Sequence, residues 1–243
     1  MNLLCIDIGN TSTSFCLITN HILNRIHRII NNNDLEKYLY QYNFKNIDDV
    51  IISSVAPNKY RFIKKILNKR RIKTFNINYK NCGFDLLVHA PKEVGVDRIC
   101  NIAAIKLKNK FPAIIIDFGT ATTYDVINNE GNFIGGAIAP GIDVSANHLI
   151  NKTELLRETI YQFPDSVIGK DTSTNIQSGV MIGGLKSVEG MIELISKELE
   201  NNNINIILTG GFGKLITRRL NIKHIYNEKL TFIGMEYIYD YNH

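Results

Sequence analysis

Two segments of the chain share one order of apolar and polar positions. An apolar run at residues 3–6 leads into Asp7 and Gly9, then into a polar turn and a second β-compatible stretch at residues 14–18. The same order returns from residue 113, with Asp117 and Gly119 in place of Asp7 and Gly9. Solenoid repeats have about 20–50 residues, so a repeat this long predicts two copies of a domain.

Each predicted hairpin is followed by further strands and helices. In the first half, the periodicity predicts a strand within 23–30, strands over 49–55 and 73–77, and helices over 34–42, 58–68 and 93–108. In the second half, it predicts helices near 142–151 and over 174–200 and a buried strand over 204–208, and the tyrosine-rich segment after Phe232 predicts an irregular tail. We therefore expect an α/β fold with mixed sheets and two domains, residues 1–112 and 113–243.

The composition excludes two classes of protein. Hydrophobic residues make up 44% of the 243 residues and charged residues 21%, which argues against both a disordered and a fibrous chain. The sequence has no run of about 18 apolar residues and no signal-peptide pattern, so we expect a cytoplasmic protein with no membrane partner. The four cysteines lack CxxC spacing, which disfavours a zinc site and predicts reduced thiols.

The net charge of +5 permits attraction to polyanions without requiring it. The densest basic stretch, residues 64–73, is interleaved with apolar residues at helical spacing. Its lysines and arginines fit the solvated face of an amphipathic helix, and nucleic-acid binding is the alternative. We expect no nucleic-acid partner.

The two Asp-x-Gly turns are candidate phosphate sites. Glycine lets the backbone approach a ligand closely, and backbone N–H groups with nearby hydroxyls suit phosphate oxygens. A carboxylate beside such a turn can hold a cation that screens those oxygens. A single turn of this kind also occurs for its geometry alone, but the duplication favours a function. The segment 209–213 is either a nucleotide-binding turn or a helix entry that needs small residues.

The order of motifs along the whole chain resembles that of type III pantothenate kinases. These motifs are Asp7-Ile8-Gly9-Asn10-Thr11, Gly95-Val96-Asp97-Arg98, Asp117-Phe118-Gly119-Thr120-Ala121-Thr122-Thr123, Gly135-Gly136 to Pro140-Gly141, Gly169-Lys170-Asp171-Thr172 leading to Gln177-Ser178-Gly179, and Thr209-Gly210-Gly211. The Gly-x-Asp-Arg motif is specific to that family, whereas the others recur in the acetate and sugar kinase, heat-shock 70 and actin superfamily. The resemblance implies that superfamily's duplicated ribonuclease-H-like domains, the actin-like ATPase fold.

The resemblance also implies an activity, the ATP-dependent phosphorylation of pantothenate to 4'-phosphopantothenate, which is the first step of coenzyme A synthesis. It implies ATP contacts from Thr120 and from a loop made of Asp7, Ile8, Gly9, Asn10, Thr11, Ser12, Thr13 and Ser14. Asp117 would hold a monovalent cation, potassium or ammonium, and Mg²⁺ would accompany ATP. Pantothenate would contact Gly95, Val96, Asp97, Arg98 and Thr172, with Asp97 as the catalytic base. The family is dimeric, which implies a homodimer.

Several alternatives stay open. Val88 stands where the family commonly has a tyrosine over the substrate, so a related kinase with another small acceptor is an alternative. A non-catalytic regulatory accessory protein is another, although the retention of Asp7, Asp97 and Asp117 favours an enzyme. The Asp97-Arg98 pair also fits an ordinary surface pair near a helix start. His148 lies in an apolar helical pattern that predicts a core or interface position without a role.

Overall fold

Two mixed β-sheets organise the residues that the computed structural model describes, 1–152 and 160–243. These residues form two compact units. Unit 1 comprises residues 1–110, 129–134 and 229–243, and unit 2 comprises residues 111–128 and 135–228. The predicted mixed α/β class is confirmed. The division into two homologous domains, residues 1–112 and 113–243, stays a prediction.

Unit 1 is built on six strands. They are β1 (Asn2–Ile8), β2 (Thr13–Thr19), β3 (Ile22–Leu23), β4 (His27–Ile29), β5 (Asp49–Ser54) and β6 (Thr74–Asn76). The order is β3-β2-β1-β5-β6, with β4 also paired to β2. The central strand β1 is antiparallel to β2 and parallel to β5. The helices of the unit are α1 (Asn32–Gln41), α2 (Pro57–Lys69), α3 (Val96–Leu107) and α8 (Leu230–Tyr241), with a 3₁₀ turn at Pro91–Glu93.

Both faces of β1 are buried, which explains its continuous apolar run. Successive side chains of a strand point to opposite faces, so Leu3 and Cys5 enter one core while Leu4, Ile6 and Ile8 enter another. The first core also contains buried residues of α3 and α8, and the second contains those of α1 and α2. The basic stretch lies largely on α2, whose buried residues are Ile63, Ile66 and Leu67, so its basic residues are a solvated face.

The segment after Phe232 is a helix, so the prediction of an irregular tail is wrong. Residues Phe232, Met235, Ile238 and Tyr239 of α8 are buried in the core that also holds Cys100. The Tyr239 hydroxyl donates to Asp49 Oδ2 at 2.6 Å. Gly234 allows the close approach of α8 to α3, because a Cβ at this position would overlap the Cys100 carbonyl.

Unit 2 repeats the central topology of unit 1. Its strands are β7 (Ala113–Phe118), β8 (Ala121–Ile127), β9 (Phe133–Pro140), β10 (Asn205–Thr209) and β11 (Ile225–Tyr226), in the order β11-β10-β7-β8-β9. As in unit 1, the strand that ends in the Asp-x-Gly turn pairs antiparallel with the next strand and parallel with a later one. Its helices are α4 (Ile142–Asn151), α5 (Thr172–Gln177), α6 (Gly183–Glu198) and α7 (Gly213–Ile216), and a π-helical turn, Ser178–Ile182, joins α5 to α6.

Three further findings concern the cysteines, His148 and the question of a membrane-spanning helix. All four cysteines are buried free thiols. His148 is exposed on α4, so a core position for it is wrong. Within residues 1–152 and 160–243, no helix has both the length and the apolar character that crossing a bilayer demands.

The packing of α8 on α3 leads to a stability prediction. Gly234→Ala should lower the free energy of unfolding by about 1–3 kcal/mol, the usual effect of overpacking, because a backbone carbonyl cannot rotate away from the added methyl group. Urea denaturation measures this loss. Gly190→Ala is the matched control, since no described atom lies within 4 Å of its added Cβ. Equal losses in the two variants would contradict the close contact.

Candidate active site

The first Asp-x-Gly turn is a four-residue connection between β1 and β2. Ile8 pairs with Thr13, and the Gly9 N–H donates to the Ser12 carbonyl at 2.9 Å. Asn10 and Thr11 are exposed at its tip, whereas the side chains of Ile8 and Thr13 are buried. The tip of the predicted phosphate loop is therefore accessible to a ligand. Ile8 and Thr13 can contact such a ligand only through their backbone groups.

Two cationic side chains hold this turn. Lys59, in the first turn of α2, donates from Nζ to the Asn10 carbonyl at 2.7 Å and to the Gly9 carbonyl at 3.4 Å. Arg28 on β4 donates from Nε to Ser12 Oγ at 2.8 Å. Burial lowers the pKa of Lys59. Because both carbonyls point toward the lysine, the turn is fixed in one orientation. Neither residue lies in a motif that the sequence offered.

The carboxylate of Asp7 lies between two serines. Asp7 pairs with Ser14 on β2 and with Ser53 on β5, so the three side chains share one face of the sheet. Ser53 Oγ donates to Asp7 Oδ1 at 3.0 Å. The Cys100 thiol of α3 lies close by. Burial raises its pKa, the negative charges of Asp7 and Asp97 raise it further, and a hydrogen bond with Ser53 lowers it. The negative charges of Asp7 and Asp97 thus both act on the same buried thiol.

The Gly-x-Asp-Arg motif forms the start of α3. Asp97 Oδ1 accepts a hydrogen bond from the Arg98 N–H at 2.8 Å, in the first helical turn, where the helix dipole favours a carboxylate. Gly95 leaves room for that carboxylate, since a Cβ there would lie 2.5 Å from Asp97 Oδ1. Burial raises the pKa of Asp97, against the opposing effects of the Arg98 N–H and guanidinium. The guanidinium lies over the Phe133 ring, 5.4 Å from its centroid.

The second Asp-x-Gly turn has three residues between its paired strand residues, whereas the first turn has four. Phe118 pairs with Thr122, and the Gly119 N–H donates to the Ala121 carbonyl at 3.1 Å. The Gly141 N–H, ahead of α4, donates to the carbonyl of the exposed Thr120 at 3.1 Å. The main chain at Gly141 therefore supports this turn, as Lys59 and Arg28 support the first.

The glycine-rich turn after β10 packs against Asp117. Thr209 pairs with Asp117, and the next residue, Gly210, has a φ of 85°. A Cβ at Gly210 would overlap Asp117 Oδ1 and lie 2.6 Å from the Phe118 backbone, so only glycine fits. The Tyr226 hydroxyl donates to the Gly210 carbonyl at 3.3 Å. Burial raises the pKa of Tyr226, and the negative charges of Glu228 and Asp117 raise it further.

Thr172 is the first residue of α5 and is exposed. The preceding Asp171 caps this helix, because its side chain accepts from the Thr174 N–H at 2.8 Å and its own N–H donates to the Thr174 hydroxyl at 3.1 Å. Hydrogen bonds from the backbone N–H and the side chain of Thr174 to the Asp171 carboxylate lower its pKa. The motif Gly169–Thr172 is thus a helix start that holds Thr172 in place.

Comparison with solved structures defines the class of protein. A Baf family protein of Campylobacter jejuni, named as a transcriptional activator, aligns with a TM-score of 0.65 over 98% of both chains at 22% identity. The ethanolamine utilization protein EutJ of Carboxydothermus hydrogenoformans aligns with a TM-score of 0.56 at 11% identity, over 98% of this chain and 90% of the other. The chain has the actin-like ATPase fold.

Sequence comparison defines the family. The profile described as type III pantothenate kinase matches residues 3–194. The type III pantothenate kinase of Sulfurihydrogenibium sp. is 37% identical, over 98% of this chain and all of the relative. That of Persephonella marina is 36% identical, over 99% of both chains. The chain belongs to the type III pantothenate kinase family.

The hold of Lys59 on the first turn leads to a prediction about local stability. Lys59→Met should make the amide hydrogens of residues 9–12 exchange roughly 10- to 100-fold faster, because a hydrogen bond from a charged donor contributes about 1.5–3 kcal/mol. Hydrogen–deuterium exchange with mass spectrometry measures the rate. Lys65→Met, which removes an exposed charge from the same helix, is the control. If the two variants exchanged at the same rate, Lys59 would not hold the turn.

Proposed function

We propose that the chain transfers the γ-phosphoryl group of ATP to the primary hydroxyl of pantothenate. The observation that carries this proposal is the position of Asp97, a partly buried carboxylate at the start of α3 that shares the neighbourhood of the Cys100 thiol with Asp7. A carboxylate with a raised pKa is suited to accept a proton near neutral pH. A Cβ at Gly95 would lie 3.5 Å from Val55 Cγ1, and the Val55 N–H donates to the Ile8 carbonyl at 3.0 Å, which supports a position of this helix start near the Asp7 turn.

Each group has a defined task in this proposal. The turn from Asp7 to Ser14, with Thr120, binds the phosphates of ATP. The pantothenate hydroxyl oxygen attacks the γ-phosphorus, its proton moves to Asp97, and the bond to the ADP oxygen breaks. Phosphoryl transfer of this kind needs positioning and charge stabilisation rather than covalent help from the protein. Arg98 binds the pantothenate carboxylate, for which a guanidinium has matching geometry, and Gly95, Val96 and Thr172 line the acceptor site.

The cations of the reaction have candidate ligands. We propose that Asp117 holds a monovalent cation, potassium or ammonium, which screens the negative charge of the phosphates, and that Mg²⁺ arrives with ATP. The residues around Asp117 fit such an ion, because the buried hydroxyl of Thr123 on the paired strand has no hydrogen-bond partner in the described parts of the chain. A cytoplasmic location and the absence of nucleic-acid partners stay predictions.

A turnover assay tests the function. The purified protein should release ADP from ATP when pantothenate is present, and faster in potassium than in sodium buffer. An acceptor screen distinguishes pantothenate from other small alcohols. Turnover with another acceptor alone would favour a related kinase, and absence of turnover with every acceptor would favour the regulatory alternative.

The role of Asp97 is testable by substitution and by pH. Asp97→Asn should lower kcat by roughly 10²–10⁴, the range for removal of a general base, and leave ATP binding intact. In the unmodified protein, kcat/KM should fall as the pH drops through the pKa of Asp97, because protonation removes the base. Burial raises that pKa, so the fall should occur above the usual range near 4. A variant that kept more than about a tenth of kcat would rule out this role.

We also propose a homodimer. Gly179 and Gly183 lie one helical turn apart, are exposed, and have no described atom within 4 Å of an added Cβ, so packing within the described chain does not require glycine there. Small residues let a second helix approach closely. Light scattering should give twice the mass of one chain, and Gly183→Leu should reduce it to that of one chain. A single-chain mass for the unmodified protein at micromolar concentration would contradict the dimer.

A further inference from the structure

The hydroxyls on either side of Asp117 extend the proposed cation site. We propose that Thr123 supplies a second oxygen ligand to this ion and that Thr209 flanks the ion from β10, on the other side of β7. This inference rests on the monovalent cation proposed for Asp117. The site is then a carboxylate between two hydroxyls, laid out across β8, β7 and β10. Thr123 is the last residue of the second Asp-x-Gly motif, and the resemblance assigns it no ligand role.

Strand register places the three side chains together. Asp117 pairs with Thr123 across the antiparallel β7–β8 ladder and with Thr209 across the parallel β7–β10 ladder. Directly opposed residues project from the same face, with Cβ atoms about 4.5–5.5 Å apart in an antiparallel pair. Neighbouring strands are about 4.8 Å apart, so an ion at Asp117 is within reach of both hydroxyls.

The hydroxyl of Thr123 needs a partner. Its Oγ1 is buried and has no hydrogen-bond partner among residues 1–152 and 160–243. Burying a hydroxyl without a partner is unfavourable, and most such groups in folded proteins are satisfied. A hydroxyl oxygen has two lone pairs, so a cation satisfies it as a hydrogen-bond donor would.

The first Asp-x-Gly strand provides an internal comparison. There Asp7 also lies between two hydroxyl residues, Ser14 and Ser53, and Ser53 donates a hydrogen bond to the carboxylate. Thr13, in this first hairpin, also has a buried hydroxyl without a hydrogen-bond partner among the described residues. It pairs with Ile8 and Ile29, however, and not with a carboxylate. Thr123 therefore combines two properties, an unsatisfied hydroxyl and a carboxylate directly across the ladder.

The surroundings of Asp117 favour a positive ion. At Gly210 a Cβ would overlap Asp117 Oδ1, so the glycine main chain lies close to this carboxylate oxygen. A single carboxylate with neutral oxygens suits a monovalent ion, because divalent ions gather more carboxylates or retain water and phosphate ligands.

Thermal unfolding of the full chain tests the proposal without an activity assay. The measured quantity is the rise in Tm from choline chloride to potassium chloride at equal ionic strength, titrated to give an apparent Kd for potassium. Thr123→Val removes only the hydroxyl, Thr123→Ser restores it, and Asp117→Asn removes the carboxylate. Thr122→Val is the matched control, because Thr122 lies on the opposite face of β8 and pairs with Phe118.

We expect Thr123→Val to weaken potassium binding roughly 10- to 100-fold, the range that loss of an outer-shell partner of a metal ligand already causes. In choline its Tm should equal or exceed that of the unmodified protein, since an unsatisfied hydroxyl has been removed. Thr123→Ser and Thr122→Val should keep the potassium response. Thallium(I)-soaked crystals should show an anomalous peak in contact with both Asp117 and Thr123.

The outcomes separate the two proposals. A full potassium response in Thr123→Val, with the response lost in Asp117→Asn, would overturn the role of Thr123 and leave the cation at Asp117. A full response in Asp117→Asn, or none in the unmodified protein, would overturn both the cation at Asp117 and the role of Thr123. The proposed kinase activity is tested separately by pantothenate turnover, and neither result would contradict it.

Discussion

The register of three adjacent strands is the constraint on which both candidate sites depend. In each unit the strand that ends in Asp-x-Gly pairs with one antiparallel and one parallel neighbour, and the aspartate lies opposite a hydroxyl residue on both. A slip of one residue would turn Asp7 or Asp117 onto the opposite face and move apolar residues out of the core. The apolar run before each aspartate therefore fixes its carboxylate as well as the sheet.

The candidate site also depends on elements far from the motifs. Asp97 is positioned by α3, and α3 is held by α8, whose Gly234 allows the contact with Cys100. The first Asp-x-Gly turn is likewise held from outside by Lys59 and Arg28. In the proposed reaction the motif residues provide the chemistry, and neighbours outside the motifs hold those residues in position.

The sequence was sufficient where periodicity or repetition was strong. The two hairpins, the helix after Gly95 and the mixed α/β class were all predictable, because buried strands and amphipathic helices leave clear patterns. Helix α8 was missed because its buried Tyr239 and exposed Tyr241 hide the apolar spacing of Phe232, Met235 and Ile238. Lys59 and Thr123 were missed for a different reason. Their roles follow from pairing and tertiary contact, which a single sequence does not encode as a local pattern.

The route of the chain through unit 1 affects the order of its folding during synthesis. Residues 229–243 follow the whole of unit 2 along the chain, yet α8 covers α3 and shares its core. Domains generally fold as they emerge from the ribosome, N-terminal first. Here the part of α3 that packs against α8 stays uncovered until residues 229–243 have been translated. The nascent chain therefore carries an exposed apolar surface while unit 2 is translated, when binding by a chaperone would protect it from aggregation.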